Sequence, residues 1–183
     1  MPPLSPPETK QLCYSILTDA QKHRFEEDSE LDLSFGVRGL SRFRANIFNQ
    51  RGAVAGAFRA IPYKIKTFEE LGLPRVANEL SKKPRGLILV TGPTGSGKST
   101  TLASMVDRIN SERNEHIVTV EDPIEYMFKD DQSVITQREV GLDTLSYHNA
   151  LKNAMREAPD VILIGEVRDS ETMEHAMAYA DTG

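Results

Sequence analysis

The sequence predicts an α/β fold, in which a mostly parallel β-sheet is covered by helices and preceded by a smaller α+β unit. Three continuous apolar runs, at residues 86–91, 116–120 and 161–164, predict buried strands, and helical spacing follows each of them. Strands that are apolar on both faces are typical of parallel sheets with helices on either side. Residues 31–61 instead alternate apolar and polar side chains, which is typical of half-exposed antiparallel strands.

The N-terminal part predicts two short helices and then a three-stranded meander. Ser5 and Thr18 each precede a Glu or Gln by three positions, which is the sequence pattern of a helix capping box. Alternating runs near residues 31–35 and 43–47 and a third run at 53–61 predict the strands, with turns rich in glycine between them.

Three arginines, Arg42, Arg44 and Arg59, fall on the polar faces of these strands. Solvation of an exposed sheet face explains them as well as a functional role does.

A connecting segment follows the meander. Thr67 predicts the cap of a one-turn helix that ends at Gly72, and a second helix is expected over residues 74–83. We therefore predict a partial N-terminal α+β domain over residues 1–62, a linker over 63–84, and an incomplete P-loop domain over 85–183.

The run at 86–91 leads directly into a glycine-rich loop that matches the pattern G-x-x-x-x-G-K-[ST] in full. Glycines allow successive backbone N–H groups to point inward and bind phosphate oxygens at the start of the next helix. Lys98 is expected to reach the β- and γ-phosphates, and the Ser99 hydroxyl to bind Mg²⁺. The predicted nucleotide-binding residues are Gly92, Pro93, Thr94, Gly95, Ser96, Gly97, Lys98, Ser99 and Thr100.

A dinucleotide-binding loop is a poor alternative, because the third glycine of that pattern is absent after Gly97. No N-K-x-D stretch indicates guanine selectivity, so ATP is the expected nucleotide.

Composition excludes several classes of function. The chain has 183 residues, with 22 basic and 27 acidic side chains and a net charge of −5, which argues against nucleic acid as the main partner. No apolar stretch approaches the roughly 20 residues of a transmembrane helix. The N-terminus lacks the features of a signal peptide, so a cytoplasmic location is expected.

Carboxylates follow two of the predicted strands. Ligands of α/β sheets bind beyond the carboxyl ends of strands, where Glu121, Asp122 and Glu166 are expected. Glu166 is predicted to orient the attacking water, and Glu121 or Asp122 to hold Mg²⁺ or its water shell. Asp160 begins its strand, so we expect it on the order of 20 Å from Glu166, at the opposite edge.

The four histidines, at positions 23, 116, 148 and 175, show no spacing typical of metal ligands. Glu171 and His175 are spaced for a weak i,i+4 contact on one helix.

Several segments together resemble the secretion-type ATPases of the GspE/PulE superfamily. Residues 155–169 (MREAPDVILIGEVRD) match the signature around their atypical Walker B motif, and residues 119–125 (TVEDPIE) resemble their aspartate box. Residues 40–44, 50–52 and 68–74 (LSRFR, QRG and FEELGLP) are similar to the type IV pilus retraction ATPases, or PilT-like proteins. The resemblance extends from about Ser5 to the end of the chain.

The resemblance implies a RecA-like P-loop domain preceded by a PAS-like domain, in a cytoplasmic homo-hexamer that associates with pilus machinery at the inner membrane. It implies that Glu166 is the catalytic glutamate and Glu121 an acid of the aspartate box. It also implies that Arg42, Arg44 or Arg59 faces the γ-phosphate on a neighbouring subunit. The function expected is ATP-driven pilus retraction and twitching motility.

The sequence also departs from the family pattern. It stops at Gly183, where the histidine box of the family would begin, and it lacks the first strands and the C-terminal helical region. We therefore expect these residues alone to bind nucleotide and to hydrolyse it poorly. The alternatives are a non-catalytic nucleotide-binding subunit or fragment that modulates a paralogous hexamer, and an ATPase of pilus or type II secretion assembly. Assembly ATPases usually carry a four-cysteine zinc module, and one cysteine is present here.

Overall fold

The computed structural model describes residues 2–61 and 64–182, without the side chain of Thr182. The chain divides into two compact units, Met1–Pro62 and Tyr63–Gly183. The boundary predicted at residues 62 and 63 and the chain end at Gly183 lie outside the described residues. None of the helices in the described ranges has the length and apolar character that a bilayer-spanning helix needs.

The first unit contains two helices and an antiparallel sheet. Its elements are α1 (Pro6–Ser15), α2 (Asp19–Asp28), β1 (Glu30–Val37), β2 (Ser41–Gln50) and β3 (Ala53–Ile61). The strands are ordered β1-β2-β3, and both pairings are antiparallel. Capping boxes at Ser5 and Thr18 start the two helices, as their sequence predicts.

Alternation along β2 separates the two faces of this sheet. Ala45 and Ile47 are fully buried, and Ile47 packs with Phe25 of α2 and Leu31 of β1 in a small core. Successive side chains of a strand point to opposite faces, so Arg42 and Arg44 lie on the face that is turned away from this core.

The second unit is built on a parallel sheet. Its elements are α3 (Phe68–Leu71), α4 (Arg75–Ser81), α5 (Lys98–Glu112), β4 (His116–Glu121), β5 (Val134–Glu139), α6 (Tyr147–Ala154), a 3₁₀ turn (Met155–Glu157), β6 (Val161–Ile164) and α7 (Ser170–Thr182). The strand order is β5-β4-β6. The segment predicted as a linker carries α3 and α4, and both helices contact α5.

Helices cover both faces of this sheet, which confirms the predicted parallel architecture. On one face Val106 and Ile109 of α5 pack against Ile117 of β4. On the other face Val118 and Val120 pack against α6, together with partly buried side chains of β6 and α7. The continuous apolar runs of β4 and β6 arise because each strand supplies side chains to both layers.

The prediction of a strand at residues 86–91 is wrong, because the structure contains no strand there. No described strand pairs with this segment, and β6 pairs only with β4 within the described residues. Leu87, Ile88 and Leu89 are 43%, 37% and 56% exposed. The prediction inferred burial from apolar composition, whereas a strand also needs a neighbour that satisfies its backbone hydrogen bonds, and that neighbour is not among the described residues.

Candidate nucleotide-binding site

One edge of the parallel sheet brings the predicted acidic residues together. Val120 of β4 is opposite Ile164 of β6, so Glu121 and Glu166 leave their strands at the same edge. Glu139 ends β5 beside Glu121. Asp160 lies at the opposite edge, where its Oδ2 accepts a hydrogen bond from His116 N at 2.8 Å and its own N–H donates to His116 O at 2.9 Å. Asp160 therefore links the entries of two strands.

The first turn of α5 lies at the same edge as the carboxylates. Thr100 Oγ1 is 2.9 Å from the hydroxyl of Tyr126, a residue that follows β4. At the other end of α5, Asn110 O accepts a hydrogen bond from Gln132 N, just before β5 begins. These two contacts orient α5 antiparallel to the strands and place its N-terminus beyond their carboxyl ends.

The loop before α5 has a backbone that requires glycine. Gly92, Gly95 and Gly97 have φ values of 151°, 79° and 94°, in the left-handed region that other residues rarely adopt. A Cβ at Gly92 would lie 2.8 Å from Ser96 Oγ. The three glycines of the motif are thus needed for the observed shape of the loop.

Lys98 folds back over this loop. Its Nζ donates to Gly92 O at 3.0 Å and to Pro93 O at 3.1 Å. These carbonyls hold the ammonium group against the loop that leads into α5. A phosphate in this position would meet a cation, the positive end of the helix and backbone donors together, so the residues present fit a nucleoside triphosphate. Ser99, in the first turn, is half-buried.

Glu121 is buried at this edge, with 6% of its surface exposed. Its carboxylate accepts hydrogen bonds from Thr119 Oγ1 at 2.8 Å, from Glu125 N at 3.2 Å and from Gln137 Nε2 at 3.5 Å. Burial raises the pKa of Glu121 above its usual range, and these three donors oppose the rise. The side chain is held in one place by partners on β4, on the loop after it and on β5.

Because the pKa of Glu121 is raised, the free energy of unfolding should depend on pH. A carboxyl group whose pKa is higher in the folded protein favours folding most at low pH, and this contribution is lost as the pH rises from about 4. The stability of the wild type relative to Glu121→Gln should therefore fall between pH 4 and pH 7. Chemical unfolding of both proteins across that range measures the difference, and a difference that rises with pH would contradict this assignment.

Glu166 is half-buried and forms an ion pair with Arg168 NH2 at 2.5 Å. Gly165 before it lies against β4, because its N–H donates to Val120 O at 2.8 Å. A Cβ at Gly165 would lie 3.2 Å from the Cα of Glu121. The absence of a side chain at Gly165 thus lets the two acidic segments approach closely.

Tyr147 is a site residue that sequence reasoning missed. Its hydroxyl is buried and has no hydrogen-bond partner among the described residues, and the residue packs against the core cluster that contains Val118 and Val120. Burial raises its pKa strongly, and the negative charges of Glu166, Asp122 and Glu121 add to this rise. The tyrosine therefore borders all three predicted acids. No local pattern predicts this, because α6 reaches the site only through the packing of the sheet.

The remaining predicted residues take different positions. Asp122 is exposed and directly follows Glu121. Arg44 and Arg59 are both exposed and are paired directly opposite each other on β2 and β3 of the first unit. Arg42 is half-buried, and its guanidinium donates to Ser34 Oγ at 2.6 Å.

Comparisons with known proteins agree with these features. A family model described as "Type II/IV secretion system protein" matches residues 57–183. The type IV pilus retraction ATPase PilT of Pseudomonas aeruginosa is 50% identical over all of this chain, which covers 53% of that protein. A twitching motility protein of Neisseria gonorrhoeae is 45% identical over the same 183 residues, which cover 49% of its length.

A crystal structure of the pilus retraction motor PilT with bound ADP has a TM-score of 0.93 and 55% identity to this chain. The match covers 95% of this chain and 51% of that one. The chain thus spans about half the length of the relatives that it matches. The mixed α/β fold with a parallel sheet is that of these ATPases, as the sequence predicts.

Proposed function

Because this chain belongs to the type II/IV secretion system protein family, we propose that the complete protein is an ATP-hydrolysing motor subunit that powers type IV pilus retraction and twitching motility. The observation that supports this proposal most is the position of the P-loop at the same edge as Glu121 and Glu166. A loop that binds phosphate gives binding alone, and hydrolysis also needs a group that orients water.

Each residue of the edge has a role in this proposal. Lys98 exchanges its two loop carbonyls for phosphate oxygens, and the N–H groups of the loop and of the first turn of α5 bind the remaining oxygens. Glu166 accepts a hydrogen bond from the attacking water and orients it. Ser99 would hold Mg²⁺, which, when bound, would neutralise negative charge on the phosphates, and Asp122 would bind the water shell of the ion. Glu121, fixed by its three donors, would bind the water shell of that ion.

The positions of Arg44 and Arg59 in the first unit are consistent with binding of an anion by these side chains. Like charges directly opposite each other on a sheet are unfavourable, so the exposed pair of Arg44 and Arg59 gains from a negative partner. We propose that these two residues and Arg42 contact the γ-phosphate of ATP bound to a neighbouring copy in a homo-hexamer. The hexamer would act in the cytoplasm, at the inner-membrane pilus machinery, with no nucleic-acid substrate.

Deletion of the gene in a piliated strain tests the direction of force. Loss of a retraction motor should leave more surface pili and abolish twitching, because assembly continues without removal of subunits. Complementation with the complete wild-type gene should restore both properties, and Glu166→Gln should restore neither. Fewer pili after deletion would favour an assembly ATPase, and unchanged twitching would contradict the proposal.

A further inference from the structure

Three side chains outside the nucleotide site converge on one point at the junction of α6 and α7. His148 lies on α6, and Glu171 and His175 are one turn apart on α7. Each contributes one ligand atom, and all three atoms lie within 4.8 Å of one another. His148 Nδ1 is 2.8 Å from Glu171 Oε1 and 3.1 Å from His175 Nε2.

Hydrogen bonding alone satisfies this arrangement incompletely. A neutral imidazole nitrogen carries either a proton or a lone pair, and a carboxylate oxygen carries lone pairs only. If His148 Nδ1 donates to Glu171, it has no lone pair to accept a proton from His175, and one shared proton must serve both Glu171 and the lone pair of His175 Nε2. If it accepts from His175 instead, its unprotonated nitrogen lies 2.8 Å from the Glu171 oxygen with no proton between the two atoms. A cation in the centre would accept a lone pair from all three atoms.

The donor chemistry selects the class of cation. Two imidazoles and one carboxylate suit zinc-like transition metals, whereas Mg²⁺ and Ca²⁺ prefer oxygen ligands. Zinc bonds to nitrogen and oxygen are about 2.0–2.2 Å long, which separates tetrahedral ligand atoms by about 3.3–3.5 Å. The observed distances of 2.8 and 3.1 Å need to widen by only a few tenths of an ångström.

The surroundings support a fixed but accessible site. His175 stacks on Tyr179, with ring centroids 6.1 Å apart and planes at 19°, and the Tyr179 hydroxyl donates to Leu151 O of α6. The side chains of His148 and Glu171 are 42% and 64% exposed, so an ion can enter from solvent and keep a water molecule as its fourth ligand.

From this geometry we propose that His148, Glu171 and His175 form a binding site for Zn²⁺ or a similar transition-metal ion. The ion joins α6 to α7 at a point separate from the P-loop. Glu166 lies five residues before Glu171, and Tyr147 is next to His148. A bound ion therefore restrains the two segments that carry Glu166 and Tyr147.

The test measures Zn²⁺ binding to the complete protein without an affinity tag, by competition with a chromophoric chelator. His148→Ala, His175→Ala and Glu171→Gln should each lower the affinity for Zn²⁺ by at least about tenfold. Loss of a residue that only supports a metal ligand already lowers affinity by about 10–100-fold, and loss of a ligand itself should cost no less. His23→Ala and Glu174→Gln are matched controls, because both are exposed and lie outside the cluster. These controls should bind Zn²⁺ as the wild type does.

Thermal unfolding provides a second measurement. At a hundredfold excess over the dissociation constant of the wild type, Zn²⁺ should raise the unfolding midpoint of the wild type by about 4 °C and that of each cluster variant by about half as much or less. Glu171→Gln keeps the shape of an exposed side chain, so its folding without metal should match that of the wild type. Failure of the wild type to bind Zn²⁺, or equal binding by the wild type and all three cluster variants, would overturn the proposal.

Discussion

Lys98→Ala should lower the affinity of the complete protein for ATP by about a hundredfold. A charge-assisted hydrogen bond is worth about 1.5–3 kcal/mol, and about 1.4 kcal/mol corresponds to a factor of ten in affinity. Lys98 is held over the loop by Gly92 O and Pro93 O, so its ammonium group is already close to where the phosphates would bind. Alanine removes the charge and leaves the glycine-dependent loop backbone unchanged.

Titration with a fluorescent ATP analogue measures this change. Lys82→Ala is a suitable control, because Lys82 is an exposed lysine just after α4 and lies outside the P-loop. The control should bind the analogue as tightly as the wild type. Equal affinities of Lys98→Ala and the wild type would contradict the assignment of residues 92–100 as the phosphate site.

Glu166→Gln should slow ATP hydrolysis by about 10²–10⁴-fold and leave ATP affinity within about twofold of the wild type. Loss of a positioned proton-accepting group costs a factor of this size. Glutamine has nearly the same volume, and it can still accept a hydrogen bond from Arg168, but it cannot take a proton from the attacking water. The P-loop, where the phosphates would bind, is not altered by this substitution.

The state of the bound nucleotide distinguishes the two steps. After incubation with Mg-ATP and rapid removal of free nucleotide, the Glu166→Gln protein should retain ATP, whereas the wild type should retain ADP. Recovery of ADP from the variant at the rate of the wild type would show that another residue orients the water.

Local features of the sequence predicted most of the elements. Capping boxes marked the starts of α1, α2 and α3, and the Ser146 and Asp169 side chains cap α6 and α7 within the same short span. These features are visible because a cap and its partner lie within three residues of each other. The acids at the strand ends followed from a second local rule, the position of carboxyl ends in a parallel sheet.

Features that depend on tertiary packing were not predicted. The contact between Thr100 and Tyr126, the position of Tyr147 beside three acids, and the reach of Gln137 to Glu121 all join distant segments. The convergence of His148 with His175 was missed for the same reason, since the spacing of the histidines shows nothing about the packing of α6 on α7. The strand prediction for residues 86–91 was wrong because a strand needs a neighbouring strand to pair with, and apolar composition does not show whether one is present.

We propose that ATP is hydrolysed at the carboxyl ends of the strands in the β5-β4-β6 sheet, by Glu166 and not by Asp160, which lies at the other end of β6. Phosphate release by the complete protein at saturating Mg-ATP, compared among the wild type, Glu166→Gln and Asp160→Asn, tests it most directly. We predict at least about a hundredfold loss in Glu166→Gln. Asp160→Asn should retain the rate of the wild type, because Asp160 only joins two strand entries. A rate that falls in Asp160→Asn and persists in Glu166→Gln would contradict the claim.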